Sequence, residues 1–338
     1  METKGEGTFT VEAWRGDVVE SRHHIHAVIT DSSGVVEAWG DRQRATIPRS
    51  AIKSIQALPL LTSGAADAYG MSEEELALAC ASHSGEPEHV EAVRAWLDRL
   101  DLSDLDLECG ADIPLGKEAK REFLASRGEP NPVFNCCSGK HAGFLTLARH
   151  LDLPTAGYVE RCSEVQRHIT HAIETMTGLD LSEQRSGIDG CGIPVFALPL
   201  QRMALAMARL VDPVDLDPDL AAATTRVSAA AQRTFWVSGT GRTENVVEGL
   251  ITEPVVMKAG AEGVFMAALP AQRLGIALKA ADGTARASHA AIKGLLHRLG
   301  ALPAVDADGG SAQPILNKAG TYAGELRPVI SAPVHASI

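Results

Sequence analysis

The sequence predicts an α+β fold in which a single antiparallel sheet is assembled from both ends of the chain, with a mainly helical segment inserted between them. Three observations point there: apolar and polar residues alternate near the N-terminal end, apolar spacing shifts to three and four residues from Ile52 to about Leu210, and alternation returns beyond residue 255. On this reading residues 1–338 form one domain, with a sheet portion at about 1–50 and 250–338 and a helical region at about 51–249.

Taken in order, Phe9–Trp14 and His26–Thr30 alternate and are broken by the turn signals Arg15-Gly16-Asp17 and Asp31-Ser32-Ser33-Gly34, which predicts an antiparallel meander over residues 8–39. Helical spacing marks Glu73 to Ala81, His89 to Leu100 and a long stretch from Tyr158 to Thr177. The acidic, proline-bearing run Val211–Asp219 predicts a surface loop. Gly263–Leu269 and Leu274–Lys279 are two short strands joined by Pro270–Arg273, followed by a turn at Asp282-Gly283 and a helix from His289 to Leu299. The segment from Val305 to Pro314 predicts a second surface loop, and there are no repeats or low-complexity tracts.

Composition narrows the function. With 338 residues, 45% hydrophobic and 22% charged, the chain is long enough for a full-sized core. A formal net charge of −12, without a basic stripe, argues against nucleic acid or anionic membrane as a partner, since both require clustered Lys and Arg. The start, Met1 to Gly7, is polar and acidic, and no apolar run reaches membrane-spanning length, so a cytoplasmic location is expected. Six cysteines in a chain of this kind predict reduced thiols or metal ligands rather than disulfides.

Three segments carry chemistry. In Pro48-Arg49-Ser50-Ala51-Ile52-Lys53, Ser50 falls at or near the first turn of a helix and Lys53 lies one turn on, on the same face. A serine hydroxyl needs a base to become nucleophilic, and a lysine serves when desolvation or the positive end of a helix lowers its pKa. The plain alternative is an N-cap serine followed by a solvated lysine. Lys258-Ala259-Gly260 opens the later strand pair, as a Lys-Thr-Gly strand closes the site in other Ser-x-x-Lys enzymes, but without the middle hydroxyl.

In Cys80-Ala81-Ser82-His83-Ser84-Gly85-Glu86-Pro87 an apolar helical run ends in a polar turn; Ser82 is a candidate second active hydroxyl, and His83 and His89 read as surface residues or ligands. Asn135–Gly143 and Ser186–Pro194 read as small-residue loops carrying thiols and charge, where binding sites tend to lie. Gly139-Lys140 is not a phosphate loop, because the upstream glycine of that pattern is missing. Cys137 and Cys191 with a third nitrogen or oxygen ligand are candidates to hold zinc, although two distant cysteines fall well short of a Cys-x-x-Cys pair.

Together, Arg-Ser-Ala-Ile-Lys (49–53), Ala-Ser-His-Ser-Gly-Glu (81–86), Cys-Ser-Gly-Lys-His-Ala-Gly (137–143) and Gly-Ile-Asp-Gly-Cys-Gly-Ile-Pro (187–194) resemble the thermolabile, type II L-asparaginase family of rhizobial type, and the likeness extends through Lys258–Gly263 to Asn317–Gly320 and Leu326–Pro328. The resemblance implies a serine β-lactamase and penicillin-binding-protein-like fold, a homodimer, and hydrolysis of L-asparagine to L-aspartate and ammonia. It also implies that Ser50 with Lys53 and Ser82 with Lys258 form two Ser-Lys pairs. Cys137, Lys140 and Cys191 would be the ligands of a zinc ion, with Asp189 outside them. Arg49, His83, Ser84 and Asp189 are the candidate substrate-binding residues. The chain departs from the family at Cys136, where Asn is frequent, and at Gly192, where a small hydroxyl residue is common. Rival readings are a β-lactamase-like amidase or peptidase, a glutaminase, and a non-enzymatic zinc-binding protein.

Overall fold

The structure is a computed structural model that describes residues 7–303 and 312–335. The first six residues and most of the Val305–Pro314 segment lie outside the described residues. The chain divides into two compact units. One takes in the described residues through Ala51, then Leu198–Asp212, then the described residues from Val247 onward; the other comprises Ile52–Ala197 and Pro213–Val246.

The first unit is built on a nine-stranded sheet in which every pairing is antiparallel. The expected N-terminal meander is its centre: Phe9–Arg15, Val18–Asp31 and Gly34–Trp39. Val18–Asp31 pairs with Phe9–Arg15 through its first half (Thr10 opposite His24) and with Leu274–Ala280 through its second (Val28 opposite Ala277). Val264–Leu269 and Val256–Gly260 then continue to one edge, and Tyr322–Ile330 and Gln313–Leu316 continue from Phe9–Arg15 to the other. Both chain ends thus make one sheet, as the α+β reading expects.

The strand Val264–Leu269 is buried at every residue because both faces of the sheet are covered, which explains its continuous apolar run. On one face Met257, Phe265, Ile276 and Leu278 share a core with Ala291, Ile292 and Leu295 of the helix Ala285–Arg298. That helix starts four residues before the expected His289, because its first turn is made of Ala, Arg and Ser and carries no apolar signal. On the other face lies the helix Leu200–Val211, which buries Leu200, Met203, Ala204, Met207, Ala208 and Leu210 and keeps Gln201, Arg202 and Arg209 off that buried side. Gly275 makes the approach possible: a Cβ there would fall 2.2 Å from both Ala204 O and Ala208 N. Residues 198–212 therefore belong with the sheet, and the expected helical region of 51–249 is interrupted. Spacing alone identifies that helix but not what it packs against.

The second unit is helical apart from a short hairpin, Ser186–Ile188 with Pro194–Phe196. Its longer helices are Pro87–Arg99, Ser138–His150, Glu164–Thr177 and Pro218–Ala231. The expected helix from Tyr158 begins instead at Glu164, because Ser163 caps it: Ser163 Oγ accepts from Gln166 N at 3.2 Å. Tyr158 is buried and spent elsewhere, accepting from Glu108 N at 2.9 Å and bonded to His141 Nδ1 at 2.7 Å. The acidic loop after Val211 is exposed or half-buried, as expected.

Gly275→Ala should lower stability by about 1–3 kcal/mol, the usual cost of forcing atoms into a packed core. Urea denaturation reads the effect, and an unchanged midpoint would show that the helix Leu200–Val211 does not depend on the missing Cβ.

Candidate active site

Ser50, Arg49 and Lys258 are positioned by the sheet unit. After Pro48 the chain tightens into a 3₁₀ turn, Arg49–Ile52, that runs straight into the helix Lys53–Gln56; Ala51 N donates to Pro48 O at 3.1 Å. Ser50 is half-buried on this turn, which is where its spacing from Lys53 predicts it. Arg49 has φ +52°, in the left-handed region that side chains with a Cβ seldom occupy, so the turn is held in place against its local preference. Part of what holds it is the edge strand Val256–Gly260. A Cβ at Gly260 would lie 2.7 Å from Pro48 O and 3.2 Å from Ala51 N. The glycine of Lys-Ala-Gly therefore lets the strand end close on the turn that bears Ser50. Lys258, two residues back and on the same side of the strand, is buried, and its Nζ donates to Ala259 O at 2.9 Å.

Lys53 is 1% exposed. Its ammonium donates to Ala81 O, to Ser82 Oγ at 2.9 Å and to Cys137 Sγ at 3.1 Å, all three in the helical unit. Ser82 thus has Lys53 as its amine partner within its own unit, whereas the resemblance pairs it with Lys258. The turn that carries Ser82 follows the helix Glu73–Ala79, which Ser72 and Glu75 start with a reciprocal capping box.

Residues 137–143, expected as a loop, are the beginning of the helix Ser138–His150, which is buried from Ser138 to Ala148. Two glycines one turn apart permit this. A Cβ at Gly139 would sit 2.7 Å from Leu78 O, and one at Gly143 would sit 3.1 Å from Leu60 Cδ1. The close approach places Lys140 Nζ where it donates to Cys191 Sγ at 3.0 Å, and Cys191 Sγ lies 4.0 Å from Asp189 Oδ2. Asp189 and Cys191 sit in the turn of the short hairpin, where Gly192 adopts φ +89°.

Charge in this cluster is uneven. Hydrogen bonds from Cys136 and Cys191, aided by Lys53 and Lys140, outweigh burial and hold the Cys137 thiol well below its ordinary range. Cys191 is pushed up by its hydrogen bond to Cys137 and by burial, so it keeps the proton. Burial opposes the Lys140 ammonium, yet attraction to Cys137 and Cys191 carries its pKa upward. The outcome is one negative sulfur served by two buried amines. Among the described residues, no group of three or more His, Cys, Asp or Glu side chains could hold a metal. Any donor set here must include the lysine: two sulfurs and an amine, with a carboxylate beside them, a combination suited to a borderline-soft cation.

His83 and His89 are not surface residues: both are 0% exposed, and they stack on one another at 5.2 Å between ring centres. The hydrogen bonds fix the His83 tautomer. Ser138 Oγ gives its hydrogen to Val133 O, so it accepts from His83 Nε2 at 2.8 Å, while His83 Nδ1 accepts from Gly85 N at 3.1 Å. With both nitrogens committed, the ring anchors the turn. Ser84 likewise donates its hydroxyl to Ser238 O at 2.7 Å. These two candidate substrate-binding residues hold backbone. Of the residues proposed from the sequence, Lys53, Ser82, Cys137, Lys140, Cys191 and Asp189 gather in the helical unit.

Two features beside the site escape sequence reasoning. One is the Tyr158–His141 pair, whose partners are far apart in the chain and carry no joint pattern. The other is the segment Val237–Arg242, which runs alongside Ser82–Glu86 and whose one signal is the pair of glycines, 239 and 241, around Thr240.

A family model described as L-asparaginase II matches residues 11–328. No curated protein matches the sequence. Among solved structures the chain is similar to a class C beta lactamase from Rhodobacter sphaeroides, with 14% identity, 87% of this chain and 95% of that one covered, and a TM-score of 0.41. It is also similar to a beta-lactamase from Mycobacterium bovis (13%, 77% and 88%, TM-score 0.40) and to Mglu in its native form (15%, 84% and 66%, TM-score 0.40). The chain thus spans just under two thirds of the Mglu chain. Likenesses of this size say nothing of chemistry, and the α+β arrangement rests on the strand pairings themselves.

Burial, with the neighbouring His89 and then Lys53 adding to it, lowers the His83 pKa from 6.5 to about 3. A base whose pKa is depressed by folding takes up its proton only on unfolding. Its contribution to stability is therefore complete above pH 6.5 and is lost as pH falls from there toward 3. NMR titration of the ring should find His83 neutral across that interval, with stability declining over the same range; a ring that charges near pH 6.5 would contradict its burial.

Proposed function

The chain belongs to the L-asparaginase II family, which makes it an asparaginase-like amidohydrolase, and we propose that it hydrolyses L-asparagine to L-aspartate and ammonia with Ser50 as the nucleophile. The observation that carries the reading is the family match over residues 11–328, joined to a buried lysine amine one turn beyond Ser50 and hydrogen-bonded to the Ser82 hydroxyl.

In the proposed reaction Lys53 takes the Ser50 proton as Oγ bonds to the side-chain carboxamide carbon. Backbone N–H groups at the start of the turn bearing Ser50 are the proposed oxyanion donors. As the carbon–nitrogen bond breaks, the proton that Lys53 took from Ser50 passes through the Ser82 hydroxyl to the departing nitrogen, which leaves as ammonia. Water then adds to the ester, giving a proton to Lys53 while Ser50 Oγ takes one back, and aspartate is released. A Lys53 amine that donates three hydrogen bonds must first lose a proton to bulk water before it acts as a base, and the Ser82 hydroxyl at 2.9 Å is the relay through which that proton leaves. Lys258 is assigned to polarise Ser82. Arg49 and Asp189 carry the charges that complement the substrate's α-carboxylate and α-amino groups. His83 and Ser84 keep the turn of Ser82 in place.

The donor set of Cys137, Lys140 and Cys191 fits zinc, since a negative sulfur, a second thiol and an amine converge there. When bound, zinc would supply a Lewis-acidic cation that orients a charged end of the substrate. The proposal extends to a homodimer acting in the cytoplasm. Among the described residues no helix is long and apolar enough to cross a membrane.

Wild-type protein should release ammonia from L-asparagine, and Ser50→Ala should reduce turnover by about a thousandfold or more without changing the thermal midpoint. Turnover retained in Ser50→Ala would remove Ser50 as nucleophile. L-Glutamine, longer by one methylene, should be disfavoured by about 10–200-fold in kcat/KM; a preference for it would make the protein a glutaminase. Zinc must displace the proton of Lys140, whose pKa is raised, so affinity should fall as pH falls. Competition with a chromogenic chelator measures this, and a pH-independent affinity would exclude Lys140 from the donor set.

A further inference from the structure

The turn Ser82–Glu86 is bound along its length by a segment that the proposed chemistry does not use. Ser82 N donates to Val237 O at 2.9 Å, and Ser84 Oγ donates to Ser238 O at 2.7 Å. Two residues on, the Glu86 carboxylate takes both donors of Thr240: the backbone N at Oε1, 2.8 Å, and the hydroxyl at Oε2, 2.9 Å. Between these anchors Gly239 adopts φ +97°, and a Cβ there would lie 2.5 Å from Ser84 Oγ and 2.7 Å from Glu86 Oε1. The segment passes too close to the turn for any other residue. Beyond it Gly241 N donates to the Asn245 side chain at 3.3 Å. All these residues belong to the helical unit.

A two-pronged carboxylate bond of this kind is a strong fastening. It secures the far end of the strap whose near end, Val237 O, holds the Ser82 backbone. The Ser82 hydroxyl in turn sits 2.9 Å from Lys53 Nζ. We infer that Glu86 is a positioning residue: through Thr240 it fixes the Val237–Thr240 strap, and through Val237 O the strap fixes Ser82 against Lys53. Glu86 acts by geometry and contacts no reacting atom. This inference deepens the proposed amide hydrolysis and rests on it for its kinetic consequence, but the fastening itself is independent of the substrate.

The test uses the full-length protein with Glu86→Ala, Thr240→Val and Glu86→Gln. Hydrogen exchange of the peptide containing Ser82 reads the strap directly, because its amide is protected by Val237 O. Exchange there should speed up in Glu86→Ala and Thr240→Val, and return close to wild type in Glu86→Gln, whose side chain still accepts from Thr240 N and can donate to the Thr240 hydroxyl. On L-asparagine, kcat should fall about ten- to a hundredfold in Glu86→Ala, as expected of a catalytic group misplaced by under an ångström, with KM nearly unchanged and rescue in Glu86→Gln. Unaltered exchange at Ser82 in both disrupted variants would overturn the inference. So would faster exchange with unaltered kcat, or a loss that appears in KM alone, which would place the strap at the substrate. If the wild type released no ammonia from asparagine, the proposed function would fall, while the exchange measurement would still decide whether Glu86 holds the strap.

Discussion

A lysine amine at 1% exposure is tolerable only if its hydrogens find acceptors, since burying an unpaired charge costs several kcal/mol. Lys53 meets that condition with a carbonyl, a hydroxyl and a sulfur: Ala81 O, Ser82 Oγ and Cys137 Sγ. Much of the helical unit serves to bring those three acceptors together. The turn at residues 80–86 must expose a carbonyl and a hydroxyl side by side, so it cannot be helix. The helix Ser138–His150 must start close beneath it, which Gly139 and Gly143 permit by removing the side chains that would strike Leu78 and Leu60. The strap at Val237–Thr240 then closes the turn from outside.

The same constraint organises charge. Cys137 carries the negative charge of the thiol pair because its sulfur receives hydrogen bonds and lies near two ammonium groups; Cys191 keeps its proton because it is the donor in that pair. Two lysines and one thiolate therefore form a compact cluster of net positive charge, and the buried histidines beside it are driven neutral. His141 is pushed well below its ordinary value by burial and by the Lys140 charge, and His83 is lowered by burial, by His89 and by Lys53. Removing one member shifts the others, so the pH behaviour of the site belongs to the cluster as a whole.

The sheet was legible in outline because its strands alternate or form short apolar runs bounded by turns, and periodicity reports that directly. What periodicity does not report is the partner of an element. The helix Leu200–Val211 reads as one more helix in a helical region, and only the backbone contact at Gly275 shows that it lies on the sheet. Among the candidate site residues, Ser50 with Lys53 forms a compact motif that spacing alone singles out, whereas Lys140 enters only through the family resemblance. Their environments were not legible. Ser-His-Ser suggests reactive side chains, yet His83 and Ser84 spend their hydrogen bonds on the fold. Glu86 and Thr240 are 154 residues apart, and nothing local in either segment announces the other.

In the proposed reaction an acyl group passes through Ser50 while the amines and hydroxyl around Lys53 move its protons. The most direct measurement is rapid acid quenching of the enzyme during turnover of L-asparagine, followed by peptide mapping for a covalent adduct. An aspartyl ester should appear on the peptide containing Ser50 and be absent from Ser50→Ala. An adduct on Ser82 instead, surviving in Ser50→Ala, would contradict that reaction.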